Sequence, residues 1–157
     1  MPVVKQAGFQ PVDGGSTPPR VTIWCIIPKE AVMNPEKSAY LVKHFPNLYR
    51  DYGGDPMKTL MCFGFECGDG WFDLIKELSE KLEPMGVVAM QVKEKFGGLR
   101  FYVNHATDAA WDLIEEAEAK SETICEECGG QPAKPCGGGW VKTLCEPCFN
   151  KDNAPVV

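Results

Sequence analysis

Residues 87–103 read VVAMQVKEKFGGLRFYV. Two apolar-rich runs flank a glycine pair, and each alternates with period two. In the first, Val88, Met90 and Val92 alternate with Ala89, Gln91 and Lys93. In the second, Leu99, Phe101 and Val103 alternate with Arg100 and Tyr102. Gly97-Gly98 between them is a two-residue hairpin signal, so the stretch predicts an antiparallel β-hairpin with one apolar and one polar face.

The segments on either side read as helices. Asp69 precedes WFDLIKELSEKLE, where Trp71, Leu74, Ile75, Leu78 and Leu82 recur at helical spacing. Asp73 near the start suits the helix dipole, and Pro84 and Gly86 close the segment. After the hairpin, Thr107 or Asp108 caps a second helix. Ala110, Trp111, Ile114 and Ala117 are expected on its buried face, with Glu115, Glu116 and Glu118 toward solvent. Upstream, Asn34-Pro35-Glu36 combines an Asn cap with Pro at the first helical position. That helix runs through Tyr40, Leu41 and His44 and stops before Pro46. Val21–Ile27 (VTIWCII), between Pro19 and Pro28, reads as a short buried strand.

The C-terminal part has a different logic. Cys125 and Cys128 form CEEC, Cys145 and Cys148 form CEPC, and sixteen residues separate the pairs. That spacing predicts a tetrahedral four-cysteine zinc ribbon, with residues 131–144 folding back as a hairpin. A closed tetrathiolate shell leaves no open coordination position, so the Zn²⁺ is expected to be structural. Two disulfides, a redox-active CxxC and an iron centre on the same ligands are the competing readings. The tail has no βαβ context for a redox motif. Cys136 lies in the gap but far from either knuckle, and Cys25, Cys62 and Cys67 are scattered.

These pieces predict an α+β fold: a β-hairpin packed by helices, followed by a C-terminal zinc ribbon. The expected divisions are a flexible arm over 1–20, an α+β core over 21–123, the ribbon over 124–149 and a tail over 150–157.

Composition narrows the function. The chain has 157 residues, 44% of them hydrophobic, enough for a core without a disulfide framework. Its formal net charge of −6 disfavours a general nucleic-acid coat. No run of about 18 apolar residues predicts a membrane span. The first residues carry no apolar block after a basic start, so a secretory signal is not expected, and paired cysteines in a reducing cytosol favour metal. Charge is uneven: residues 61–86 carry a net −4, residues 87–103 a net +2 and residues 104–124 a net −5. A basic hairpin is thus flanked by acidic helices.

Two groups are candidates for binding or chemistry. Glu66 and Asp69, in FECGDGW, sit on a glycine-punctuated turn and read as ligands or an acid–base pair. The structural alternative, which is favoured, makes Asp69 a helix cap, Cys67 a small buried residue and Trp71 an anchor. Lys93, Lys95, Arg100 and Tyr102 share the polar hairpin face. They form a basic–aromatic platform for an anion, a nucleotide or a nucleic-acid strand, or else they pair with the acidic helices. Glu94 points the other way and needs a partner if buried. Only His44 and His105 are present, and no G-x-S-x-G, H-E-x-x-H or P-loop pattern occurs, so an enzyme is the lesser expectation.

Three boxes, CFGFECGDGW (62–71), VKEKFGGLRFYV (92–103) and CEECG…GGGWVKTLCEPC, together resemble a family of small tailed-bacteriophage and prophage proteins of unassigned function. The resemblance covers roughly residues 38–149. It implies a phage accessory protein acting in the bacterial host cytoplasm and supplies no reaction. The leading expectation is a non-enzymatic factor that binds a host protein, for example to counteract a defence system. The alternatives are a nucleic-acid-binding zinc-ribbon regulator and a nucleotide-binding or nucleotide-hydrolysing protein.

Overall fold

The computed structural model describes residues 32–137 and 139–152. The expected arm over 1–20, the strand Val21–Ile27 and the end of the tail lie outside the described residues. The chain folds as α+β. Helix α1 (Pro35–His44) begins as expected: the Asn34 side chain accepts from the Glu36 N–H at 2.7 Å. Strand β1 (Phe65–Glu66) and a 3₁₀ turn (Asp69–Trp71) lead into α2 (Phe72–Leu82). Strands β2 (Val88–Lys95) and β3 (Gly98–Asn104) form the hairpin, and α3 (Asp108–Ser121) follows, capped by Thr107. Strands β4 (Ala133–Cys136) and β5 (Lys142–Cys145) and helix α4 (Glu146–Asp152) complete the chain. Helix α4 therefore runs past residue 149, the expected end of the ribbon.

The hairpin is part of a three-stranded sheet ordered β1-β2-β3, in which β1 pairs parallel to β2. Register sorts its residues into rows. Phe65, Val92 and Phe101 are cross-strand partners and are all buried. Helices α2 and α3 pack against each other, and α3 covers β3. The apolar stripe of α2 reads as expected, with Leu74, Ile75, Leu78 and Leu82 buried. Tyr49 wedges edge-on against Phe65, and its hydroxyl meets Ser79 at 2.6 Å inside the core. Burying each such side chain contributes roughly 1.5–3 kcal/mol.

Four local expectations are corrected. The turn lies one residue earlier than Gly97-Gly98: Lys95 pairs with Gly98, which leaves Phe96 and Gly97 as the loop. Both have positive φ, +54° and +80°, the signature of a type I′ turn. Glu94 fixes this register by accepting the Gly97 N–H at 2.6 Å. The simple alternation of β2 also breaks. A bulge between Ala89 and Gln91 leaves Met90 unpaired, so Ala89 and Val92 face the core three residues apart. On α3, the buried stripe is Ala110, Ile114, Ala117 and Ser121, and Trp111 on its shoulder is 41% exposed. Glu118, expected in solvent, turns to the sheet and accepts the Phe101 N–H at 2.9 Å. Ser121 does the same for Leu99. Two side chains thus close the outer edge of β3, which a bare edge strand would leave open to another chain.

Candidate metal centre

Cys125, Cys128, Cys145 and Cys148 place their sulfurs within 4.8 Å of one another, the only such cluster among the described residues. The Cys128 and Cys145 sulfurs are 3.5 Å apart. A tetrahedral ion with metal–sulfur bonds of about 2.3 Å needs its sulfurs about 3.8 Å apart, so this arrangement fits one ion. The donor set is that of zinc or an iron centre. It supplies four protein ligands, which fills a tetrahedral shell.

The first knuckle is built by its glycines. The Gly129 N–H donates to the Cys125 carbonyl at 2.9 Å, and Gly129 adopts φ +78°. The Gly130 N–H donates to the Cys128 sulfur at 3.3 Å, and the Gly130 carbonyl accepts from Cys125 at 2.9 Å. The second knuckle straddles the end of β5 and the first turn of α4, which carries Cys148. The β4–β5 pairing closes the ribbon and brings the knuckles together.

Electrostatics favour a cation. Burial works against the Cys125 thiolate, but backbone N–H groups of Cys145, Cys128 and Glu127 outweigh it and bring the thiol down to about 7. Burial and the neighbouring sulfurs push Cys148 up. Cys128 is drawn down by the Gly130 N–H but raised on balance by burial and its neighbours. Cys125 ionises readily, and a cation at the cluster offsets the burial and sulfur crowding that hold Cys128 and Cys148 up.

The C-G-D-G-W box is the seat of this knuckle. The Gly70 N–H donates to the Glu126 carbonyl at 2.7 Å, and the Gly68 N–H to Glu126 Oε1 at 3.1 Å. Trp71, wholly buried, donates its Nε1–H to the Ile124 carbonyl at 2.9 Å. A Cβ at Gly68 would stand 2.4 Å from the Glu126 carbonyl oxygen, and one at Gly70 2.1 Å from that of Cys125. Only glycine admits so close an approach. On the other side, the Thr143 hydroxyl donates to the Gly97 carbonyl at the hairpin turn. The ribbon is therefore joined to the core at both the box and the hairpin. Glu126 itself is buried with Oε2 unpartnered among the described residues, and burial together with nearby Glu94 pushes its carboxyl up to about 7.

The other candidate residues divide into two places. Glu66, Lys93 and Arg100 are cross-strand neighbours in one row, and Gln91 and Tyr102 form the next row on the same face. Lys95 lies on this face nearer the turn. None of Lys93, Lys95 and Arg100 forms an ion pair among the described residues. Glu66 is half-buried, accepts from Gln91 at 3.3 Å, and has its carboxyl raised by burial despite Gln91 and Lys93. Asp69 stands apart. It does not cap α2. Its Oδ1 accepts the Asn34 N–H at 2.7 Å, and Lys37 lies 3.9 Å from Oδ2. The cleft it lines, about 420 Å³, includes Lys37, Asp73, Glu77 and Lys120 but none of Glu66, Lys93 or Arg100.

No protein-family model, curated protein or solved structure matches the chain. Among the described residues no helix is long and apolar enough to cross a membrane.

Proposed function

We propose that this protein is a binding module stapled by a structural Zn²⁺, a phage accessory factor that engages a protein of the bacterial host. The observation that carries the reading is the closed four-sulfur cluster seated on the C-G-D-G-W box. A filled shell has no position for water or substrate, so the ion fixes shape and does no chemistry. Zinc is favoured over iron because a tetrathiolate site needs no redox partner to serve as a staple. The reducing bacterial cytoplasm suits four free thiols.

The fate of the polar motif residues supports a non-enzymatic role. Asp69 holds the start of α1, Glu94 the hairpin turn, Glu118 the sheet edge and Glu126 the ribbon seat. The phage setting rests on the likeness of the three sequence boxes. Counteracting a host defence system is the form of host engagement this reading favours.

A second reading has its own observation. Lys93, Arg100 and Tyr102 share the open sheet face, an arrangement suited to a nucleic-acid strand or a nucleotide. The net charge of −6 weakens it for any long polyanion. Affinity capture from bacterial lysate with the zinc-loaded chain, followed by calorimetric titration of the purified captured protein, tests the leading reading. A saturable complex is expected. Repeated captures that retain no host protein, alongside a salt-sensitive gel shift with nucleic acid, would favour the second.

A further inference from the structure

The β2–β3 turn lies against the start of the β5 arm. The Gly97 carbonyl accepts from Thr143, and a Cβ placed on Gly97 would stand 3.1 Å from Val141 Cγ1. The residue before Gly97 is Phe96, and the residue before Val141 is Trp140. Both are large and apolar, and both are open to solvent, Phe96 at 74% and Trp140 at 65%.

Phe96 is an unexpected residue at its position. A type I′ turn wants Asn, Asp or Gly where the chain adopts positive φ, and a bulky side chain there is strained. Phe96 takes φ +54° and yet stays mostly exposed. Its ring lies outside the buried core clusters, so core packing does not account for the strain. Lys95 lies over it, with Nζ 5.4 Å from the ring centroid. On the adjoining sheet face stand Lys93, with Glu66 as its cross-strand neighbour, and Arg100; like Lys95, neither forms an ion pair among the described residues.

We propose that the β2–β3 turn and the start of the β5 arm form a docking surface for an acidic polypeptide segment bearing an apolar side chain. Phe96 and Trp140 are the anchors, and Lys93, Lys95 and Arg100 are the cationic flank. Trp140 and Arg100 are of residue types enriched at interface hot spots. Charge complementarity selects the partner: the hairpin carries a net +2 between segments of net −4 and −5. The chain's net charge of −6 disfavours a long phosphate backbone, whereas a short acidic segment needs only the patch itself. The proposal rests on the protein-binding reading above and names its partner class.

The probe is a fluorescently labelled random copolymer of glutamate and tyrosine, read by anisotropy against the full zinc-loaded chain. Labelled poly-glutamate and labelled oligothymidylate are the comparison ligands. The copolymer is expected to bind more tightly than either, and more weakly as salt rises. Phe96→Asn, which suits the turn, and Trp140→Ala are each expected to weaken binding by roughly tenfold or more. The melting temperature of Phe96→Asn should be unchanged or higher. Joint replacement of Lys95 and Arg100 by Ala should remove most of the salt dependence.

Any of three results would overturn the proposal: no copolymer binding, variants that bind like the wild type, or oligothymidylate or poly-glutamate binding as tightly as the copolymer. Lysate capture separates the two levels. A host protein retained equally by wild type, Phe96→Asn and Trp140→Ala leaves the protein-binding reading standing and removes this surface.

Discussion

Gly70 and Glu126, distant in sequence, are joined backbone to backbone by a 2.7 Å hydrogen bond. The contact leaves no room for a side chain, because a Cβ on Gly70 would lie 2.1 Å from the Cys125 carbonyl oxygen and 2.5 Å from the Gly129 nitrogen. The core and the metal knuckle are thus built against each other.

Gly70→Ala must therefore displace the knuckle. We expect a loss of about 1–3 kcal/mol in stability and weaker metal retention against a chromophoric chelator. Gly86→Ala is the control: nothing lies within 4 Å of its Cβ, and only φ +76° opposes it. That variant should lose about 1–2 kcal/mol with metal retention unchanged. Equal metal loss in both variants would mean that the box does not seat the knuckle.

The sheet edge gives a second expectation. Glu118 and Ser121 hold the Phe101 and Leu99 N–H groups, each at 2.9 Å. Replacing either by Ala leaves a donor without its partner and should cost about 1–3 kcal/mol in urea unfolding. The double variant should also associate, seen as light scattering, because the edge of β3 is then open. Variants that unfold at the wild-type midpoint and stay monomeric would show that the edge needs no cover.

Glu66 gives a pH dependence. Burial raises its carboxyl above the ordinary range, partly offset by Gln91 and Lys93. The folded state then holds the proton more tightly than the unfolded state. Its stabilising contribution is complete below the ordinary glutamate range and is lost as pH rises through the folded pKa. Glu66→Gln, which cannot ionise, should gain stability relative to the wild type at about pH 8 and not at about pH 4. Acid release of metal affects both proteins and cancels in the comparison. A difference between the two proteins that is the same at both pH values would contradict the shift.

Helix α2 was legible because its stripe from Leu74 to Leu82 is local and periodic. The start of α1 was legible because Asn34 and Pro35 act on their immediate neighbours. The four metal-site cysteines were legible because spacing alone implies convergence. What sequence reading missed depends on distant partners. A Gly-Gly pair permits two turn registers, and the choice of Phe96-Gly97 accompanies contacts from Glu94 and from Thr143 in the ribbon. The bulge at Met90, whose carbonyl accepts from Thr59 at 3.4 Å, breaks an alternation that looks regular on paper. Gly68 and Gly70 look like turn residues. Their actual role, admitting the chain at Glu126, has no local signature; the Gly68–Glu126 bond spans 58 positions. Phe96 carried a readable signal, an aromatic residue beside a hairpin glycine, but its strain appears only once the register is known.

Native mass spectrometry of the chain purified without added metal, paired with elemental analysis, decides whether the four-cysteine cluster holds an ion. One zinc ion per chain is expected, with a mass consistent with four deprotonated, unoxidised thiols at Cys125, Cys128, Cys145 and Cys148. A chain that carries no metal, with those four sulfurs oxidised to one another, would contradict it.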